Sequence, residues 1–170
     1  MSRDAAHWIR ALELAPHPEG GAFREAWRAS ELVAAPALPP RFGGARSLGT
    51  AIYYLLAAGE RSRLHRLQGD ELWHHYDGGP LVLHVFHAGV GYRRRLLGTD
   101  TARNEEPMIA VPHGSWFGAE VGEGAAFALV GCTVAPGFEF TDFELGERAA
   151  LLAEFPAQRA LIERLSDGRS

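Results

Sequence analysis

The residues best suited to chemistry in this chain are a histidine and a glutamate that lie close together. His65 and Glu71 supply an imidazole nitrogen and a carboxylate oxygen, which are ligands for Fe, Mn, Ni or Zn. Most catalytic metal sites need a third protein ligand, and His74 or His75 would provide it. Because side chains alternate along a strand, regular pairing places His75 on the face of Glu71 and His74 on the other face, and a bulge would exchange the two. The metal set, if a metal is bound, is His65, Glu71 and His75 under regular alternation.

The same stretch also suits acid–base chemistry without a metal. Residues 70–76 are unusually rich in ionisable side chains for a strand that forms a core. Buried groups of this kind have shifted pKa values and are candidates for proton transfer. We take His65, Glu71 and Tyr76 as the candidate catalytic residues. Two other interpretations stay open: His65 and Glu71 form a buried hydrogen-bonded pair, or the polar face of the strand is exposed to solvent.

A protein that only binds a small molecule would use aromatic stacking and hydrogen bonds in a pocket. Trp73, Trp116 and Phe138 are candidate stacking residues, although aromatic residues at such positions also serve as core. Arg24 could bind a carboxylate or a phosphate. The candidate ligand contacts are polar and aromatic residues: Arg24, Tyr53, Ser62, Trp73, His74, His75, Trp116 and Phe138.

Closely spaced strand signals provide the elements that position these residues. The predicted strands cover residues 50–56, 61–67, 71–76, 80–87, 92–97, 108–111, 116–120, 125–134 and 138–143. Short strands at this spacing predict an all-β antiparallel sandwich or barrel. Within 61–67, alternation places Ser62 on one face and His65 on the other.

Helices are predicted only near the two ends of the chain. Asp4 is a candidate cap for a short N-terminal helix, whose apolar stripe includes Trp8 and Leu12. A helical segment is predicted over residues 147–166. No repeat or linker separates the elements, so we expect a single domain over residues 1–170 with a core at about 12–145.

Composition argues against several classes of partner. The net charge is −4 and the arginines are scattered, with Arg93-Arg94-Arg95 as the one basic cluster, so we expect no nucleic-acid surface. No apolar run is long enough for a membrane span. Cys132 is the single cysteine and its apolar strand predicts an inert buried thiol. A reducing cytoplasm is the expected compartment.

Two motifs give the chain a resemblance to a known superfamily. The spacing of Gly59, His65, Glu71 and Gly78 matches the first cupin motif, G-x5-H-x-H-x3-E-x6-G, except that Leu67 replaces the second histidine. Residues 111–117 keep the P-x-G of the second motif, but Phe117 stands where its histidine would be. Because two metal-ligand positions hold apolar residues, no cofactor is expected, although a divalent metal remains an alternative.

Four ordered stretches make the chain similar to one cupin family, which is labelled a predicted sugar epimerase. They are residues 16–25, residues 62–67 with 70–81, residues 111–119, and residues 131–140 with 142–144. The resemblance implies a cupin double-stranded β-helix, or jelly roll, with a ligand-sized pocket. It also implies a homodimer that exchanges an N-terminal strand, which would be residues 23–27 here.

The epimerase label implies a metal-free reaction on a sugar-like or nucleotide-linked carbonyl compound. In the keto-sugar epimerases behind this label, a histidine removes a proton next to the carbonyl and a tyrosine returns one. His65 matches the histidine, here oriented by Glu71, and Tyr53, Tyr54 and Tyr76 are the candidate tyrosines. A non-catalytic ligand-binding protein and a metal-dependent oxygenase or hydrolase are the alternative hypotheses.

Overall fold

The structure is a computed structural model that describes residues 3–166. Fourteen strands and three α-helices account for most of this part of the chain. In chain order they are α1 (Ala5–Ala11), β1 (Ala15–Pro16), β2 (Ala22–Arg28), β3 (Leu32–Val33), β4 (Arg46–Ser47), β5 (Thr50–Ala57), β6 (Arg61–Leu67), β7 (Asp70–Gly78), β8 (Leu81–His87), β9 (Gly91–Leu97), β10 (Glu105–Glu106), β11 (Met108–Val111), β12 (Trp116–Val121), β13 (Phe127–Ala135), β14 (Phe143–Leu145), α2 (Arg148–Glu154) and α3 (Arg159–Ser166).

Two six-stranded sheets form the body of the fold. The front sheet has the order β1-β2-β5-β13-β7-β11, and the back sheet has the order β10-β9-β8-β12-β6-β14. Neighbouring strands are antiparallel except for the short β9–β10 pair. Consecutive strands often lie in different sheets, which is the arrangement of a jelly roll. The predicted all-β fold with short helices near both ends is confirmed.

One predicted strand is mostly not a strand. Residues 138–143 begin as a loop and a 3₁₀ turn, Phe140–Asp142, and regular pairing resumes at β14. The N–H of Phe138 donates to the side-chain oxygen of Thr50, at 3.0 Å, instead of to a neighbouring strand. The irregular backbone leaves this segment free to close one end of the barrel.

The inner faces of the two sheets pack against each other and form the main core. Strand alternation sorts the side chains, so that every second residue of a strand points inward. The large inward residues include Tyr54, Leu56, Trp73, Leu83, Ile109 and Phe117. Helices cover parts of both outer faces, with α1 on the front sheet and α2 and α3 on the back sheet.

The N-terminal helix is fixed at its start and along one face. The Asp4 side chain accepts a hydrogen bond from the His7 N–H at 2.7 Å, which satisfies a donor of the first turn. Trp8 and Leu12 pack on the outer face of the front sheet, as their spacing predicted. The indole N–H of Trp8 also donates to Asp77 of β7 at 2.8 Å.

The predicted exchange strand lies in the sheet of its own chain. β2 pairs with β5 in antiparallel register, with Phe23 opposite Tyr54 and Arg28 opposite Thr50. A bulge between Glu25 and Trp27 changes the alternation. Within the described residues, no helix combines the length and the apolar character that crossing a bilayer requires.

Candidate functional site

A cavity of about 100 Å³ opens between the two sheets at one end of the barrel. This space holds on the order of seven to ten water-sized atoms. Its walls are mainly apolar: Phe23, Ile52, Leu67, Cys132, Val134, Phe138, Phe140 and Phe143. The polar lining residues are His17, Glu19, Glu25, Arg28, Thr50, His65, Glu71 and Glu139. An apolar pocket with a few convergent polar groups is the usual form of a small-molecule site.

A glycine turn brings Glu19 into the interior. The turn is closed by the N–H of Gly20 on the carbonyl of His17, and by the N–H of His17 on the carbonyl of Gly21, both at 3.0 Å. Gly20 has φ +116°, and a side chain there would collide with the carbonyl of Arg61. Only glycine adopts this conformation readily while lying so close to β6. The carboxyl group of Glu19 therefore enters the barrel, where the residue is 5% exposed.

A bulge in β6 places Ser62 and His65 on the same face. Ser62 lies opposite Ala119 and His65 lies opposite Phe117, so two residues of β6 face the single residue Gly118 of β12. This extra residue reverses the alternation. The simple alternation predicted from sequence is therefore corrected at this position, and both polar side chains reach the same glutamate.

His65 is paired with Glu19. Its Nδ1–H donates to the carbonyl of Arg63 at 2.7 Å, since a carbonyl can only accept. Its Nε2 lies 3.2 Å from Oε2 of Glu19, which places the ring beside this carboxyl group. The Ser62 hydroxyl donates to the other oxygen of Glu19 at 2.8 Å. The carboxylate that orients His65 is therefore Glu19 and not Glu71.

His17 is a neutral ring beside this pair. Its Nδ1 accepts the backbone N–H of Glu19 at 3.2 Å, so the ring proton lies on Nε2. Burial lowers the pKa of His17 most, and nearby His65 lowers it further, against the opposing charge of Glu19. The neutral form is therefore favoured.

Glu71 is a buried carboxylic acid. The indole N–H of Trp73 donates to its Oε2 at 2.8 Å. Burial, followed by the charge of Glu19, raises the pKa of Glu71 from 4.5 to about 8, although the bond from Trp73 opposes this change. Glu71 therefore keeps its proton at pH 7. The two carboxyl groups Glu19 and Glu71 of one cavity therefore lie in different environments. Such a difference allows one carboxyl group to serve as an acid and the other as a base.

The mouth of the cavity is closed in part by a ring of charged side chains, which we call the mouth ring: Glu25, Arg28 and Glu139. Arg28 binds Glu25 through Nε at 3.0 Å and through Nη2 at 2.8 Å. Its Nη1 binds Glu139 at 2.8 Å. The mouth ring joins β2 to the irregular segment that follows β13. The buried groups Glu19, His65 and Glu71 therefore lie at one end of the cavity, and the mouth ring lies at the other.

Five of the site residues predicted from the sequence line the cavity or contact its lining. His65, Glu71 and Phe138 line the cavity. Trp73 hydrogen-bonds Glu71, and Ser62 hydrogen-bonds Glu19. Glu71 and Trp73 face inward together, as alternation predicted.

Six other predicted residues lie outside the cavity. Tyr76, Tyr53, Arg24 and His74 occupy the outer face of the front sheet, where Tyr76 covers Gly131 and Arg24 stacks over Tyr53. His75 hydrogen-bonds the carbonyl of Gly79 at 3.0 Å. Trp116 is buried under α2 and α3 with Arg66 over its ring.

The catalytic tyrosine expected from the resemblance has no counterpart in the cavity. Tyr54 is the inward-facing member of the three candidates, and its hydroxyl donates to the carbonyl of Gly20 at 2.8 Å. Burial and the charge of Glu19 raise its pKa well above the usual range. Among residues 3–166, no tyrosine is part of the cavity wall.

The residues at the motif positions do not fit a metal. Within the described chain, no group of three or more His, Cys, Asp or Glu is arranged to hold a metal ion. Leu67 lines the cavity, and the ring of Phe117 lies 4.1 Å from that of His65. Both nitrogens of His65 already have protein partners.

The sequence interpretation missed Glu19, His17 and the mouth ring. A signal for Glu19 exists in the chain, because two consecutive glycines after a glutamate mark a backbone that passes close to another strand. Arg28 and Glu139 carry no such signal. Their partnership depends on the distance between two segments far apart in the chain.

Comparisons with known proteins agree with this fold. A family model described as Cupin superfamily (DUF985) matches residues 6–146. A protein from Shewanella oneidensis is 38% identical with a TM-score of 0.86, and the match covers 99% of this chain and 100% of that one. A hypothetical protein from Leishmania major is 34% identical with a TM-score of 0.88, covering 98% and 100%.

More distant structures share the fold alone. A cupin-2 domain protein from Rhodospirillum rubrum is 16% identical with a TM-score of 0.56, covering 90% of this chain and 84% of that one. No functionally curated protein matches the chain. Since the family model spans most of the sequence and the jelly roll is present, the chain belongs to the DUF985 family of the cupin superfamily.

Proposed function

We propose that this protein is a metal-independent isomerase or epimerase that moves a proton next to the carbonyl of a small molecule. One observation carries the proposal. An imidazole and a carboxyl group 3.2 Å apart, His65 and Glu19, and a carboxylic acid that keeps its proton, Glu71, face one largely apolar cavity. General acid–base catalysis needs a base and an acid in this form, held in a dry site.

The roles follow from the positions of the three groups. The Glu19–His65 pair accepts a proton from the carbon next to the carbonyl. The Nδ1–H of His65 stays bound to the carbonyl of Arg63 and keeps the ring in place during this transfer. Glu71 supports the negative charge that develops on the substrate oxygen and returns a proton to carbon. Solvent then restores both groups.

A non-catalytic binding protein is the second candidate. The aromatic rings of Phe138, Phe140 and Phe143 lie within 6.3 Å of one another beside the cavity. Rings in this arrangement suit stacking on a ligand without any reaction. This alternative uses the same cavity and differs from the first only in the fate of the ligand.

Hydrogen exchange in D₂O tests the proposal. The protein is incubated with a set of aldoses, ketoses and keto acids, and NMR follows replacement of the hydrogen next to each carbonyl. We expect exchange of at least one compound, a loss of about 10²-fold or more in His65→Ala, and no loss in His74→Ala, which changes a histidine outside the cavity. If compounds bind but none of them exchanges its hydrogen, the result favours the non-catalytic binding protein.

We propose also that the protein is a homodimer that exchanges β2. Trp27 of β2 is 52% exposed, and Tyr76 and Met108 are also exposed on the front sheet, which gives the dimer an apolar surface. β2 carries Phe23 and the mouth-ring residues Glu25 and Arg28, so exchange would complete each cavity with a strand of the partner. Light scattering should give twice the chain mass of 18.5 kDa, and a monomer mass would contradict it.

A further inference from the structure

The charge of the mouth ring limits what can enter the cavity. Arg28 is held by two carboxylates, and its Nη2 also donates to the carbonyl of Phe138 at 3.1 Å. One positive and two negative charges leave the mouth ring with a net charge of −1. The hydrogen bonds of Glu25, ahead of all other contributions, raise the pKa of Arg28, so the guanidinium stays charged and stays paired.

No other cation compensates this charge. The chain contains no lysine, and among the described residues Arg28 is the one arginine that lines the cavity. Deeper in, the imidazole of His65 lies 3.2 Å from the carboxyl group of Glu19, so the two groups are paired with each other. Glu71 is neutral at pH 7 and becomes negative above pH 8. An anion would therefore pass an acidic entrance and find no unpaired positive group inside.

Uncharged and cationic groups meet a different environment. Phe138 and Phe140 stand next to Glu139 in the chain, with ring centroids 5.0 Å apart, and Phe140 is 55% exposed. Aromatic faces attract cations and stack on the apolar faces of uncharged molecules. Like charges at an entrance repel an anion before it reaches the site.

We propose that the mouth ring makes this cavity selective for uncharged or cationic small molecules, and that phosphorylated and nucleotide-linked compounds are excluded. That the ligand contains a carbonyl group rests on the proposed function, whereas the selectivity for charge does not. Of the two ligand classes expected from the sequence, the proposal favours the sugar-like compound over the nucleotide-linked one. If an anion instead displaced Glu139 from Arg28, the freed guanidinium would bind the anion and draw it into the cavity.

Cys132 provides a reporter for entry, because it is the single cysteine and lines the cavity. Burial raises the pKa of its thiol, so labelling is slow for every reagent and only the rates of the three reagents at one pH are compared. Three methanethiosulfonate reagents of similar size differ in charge: hydroxyethyl is neutral, ethyltrimethylammonium is positive and ethyl sulfonate is negative. Mass spectrometry at pH 7 gives the rate at which each modifies Cys132. Each rate is divided by the rate for the same reagent with the protein unfolded in urea, which removes differences in intrinsic reactivity.

The anionic reagent should react about tenfold or more slowly than the neutral one, and the difference should shrink in 0.5 M salt because salt screens exposed charges. Glu25→Gln with Glu139→Gln leaves Arg28 uncompensated and should make the anionic reagent the faster of the two. Glu154→Gln with Glu163→Gln changes the net charge of the chain equally, away from the mouth, and should leave the rate ratio unchanged.

Several results would overturn the proposal. Equal normalised rates for all three reagents would show that the mouth ring does not select by charge, and a faster anionic reagent would show that Arg28 recruits anions. Complete protection of Cys132 from all three, persisting when the pH is raised to form more thiolate, would show that the mouth does not admit molecules of this size. Labelling reports entry and not proton transfer, so a failure here and a failure of D₂O exchange remain separate results.

Discussion

Replacing Glu19 by glutamine should slow proton transfer by about 10²–10⁴-fold, the usual contribution of a positioned acid or base. A glutamine keeps the size of Glu19 and can still accept the bond from Ser62. Its amide N–H₂ would donate to His65 Nε2, however, and an amide cannot accept a proton as a carboxylate does. The variant therefore keeps the geometry and loses the carboxyl partner of His65. D₂O exchange measures the loss.

The ring nitrogens of His65 provide a second measurement that needs no substrate. Nitrogen NMR distinguishes a protonated ring nitrogen from an unprotonated one. In Glu19→Gln, we expect His65 as a neutral ring with its proton on Nδ1, where the carbonyl of Arg63 holds it. In the unmodified protein Nε2 faces the carboxyl group of Glu19 at 3.2 Å, so its signal should differ from that of the variant. An unchanged spectrum would contradict the pairing that the proposed function requires.

Ser62→Ala is the matched control for Glu19→Gln. It removes the other hydrogen bond to the same carboxylate, at 2.8 Å, and leaves the carboxylate in place. A loss of about tenfold or less is expected, because Glu19 keeps its charge and its contact with His65. If Ser62→Ala and Glu19→Gln were equally inactive, Glu19 would act through positioning and not as part of the base.

Glu71 should make the folded protein less stable as the pH rises. In the folded state its pKa is about 8, against the ordinary 4.5, so the native protein holds a proton that the unfolded chain has released. Stability is therefore unaffected by Glu71 below about pH 4.5 and falls as the pH rises from 4.5 to 8. For Glu71 alone the loss amounts to roughly 5 kcal/mol.

Urea unfolding at several pH values measures this effect for the protein and for Glu71→Gln. Glutamine resembles the protonated acid and can accept the same bond from Trp73, so the variant should be the more stable protein at pH 8.5 and nearly equal at pH 4.5. Glu123→Gln, at an exposed acid in a turn, controls for the change of net charge. Parallel pH curves for the protein and Glu71→Gln would mean that Glu71 ionises freely when folded.

The sequence predicted most of the barrel and two of the central residues of the site. Eight of the nine predicted strands lie on strands of the structure, because alternation of apolar residues is a local property of two or three neighbours. His65 and Glu71 lie where the motif spacing indicated, and Leu67 and Phe117 occupy the positions at which a metal site would need histidines. The dimer and the ligand remain predictions.

Tertiary structure alone decided which carboxylate His65 uses. Ser62 and Glu19 are 43 positions apart in the chain, and their contact exists because the glycine turn crosses β6 at that point. The bulge opposite Gly118 depends on the register between β6 and β12, and no sequence pattern within β6 indicates it. Simple alternation therefore placed Ser62 and His65 on opposite faces, whereas the structure has them on the same face.

The proposed proton transfer and the proposed charge selectivity thus depend on different features of the protein. The side chains that can exchange protons follow from residue types and strand periodicity, which are local and visible in the sequence. The proton on Glu71, the partner of His65 and the charge at the entrance depend on burial and on distances between separate segments. Burial raises the pKa of Glu71 only after the sheets have closed around it, so only the folded structure determines that property.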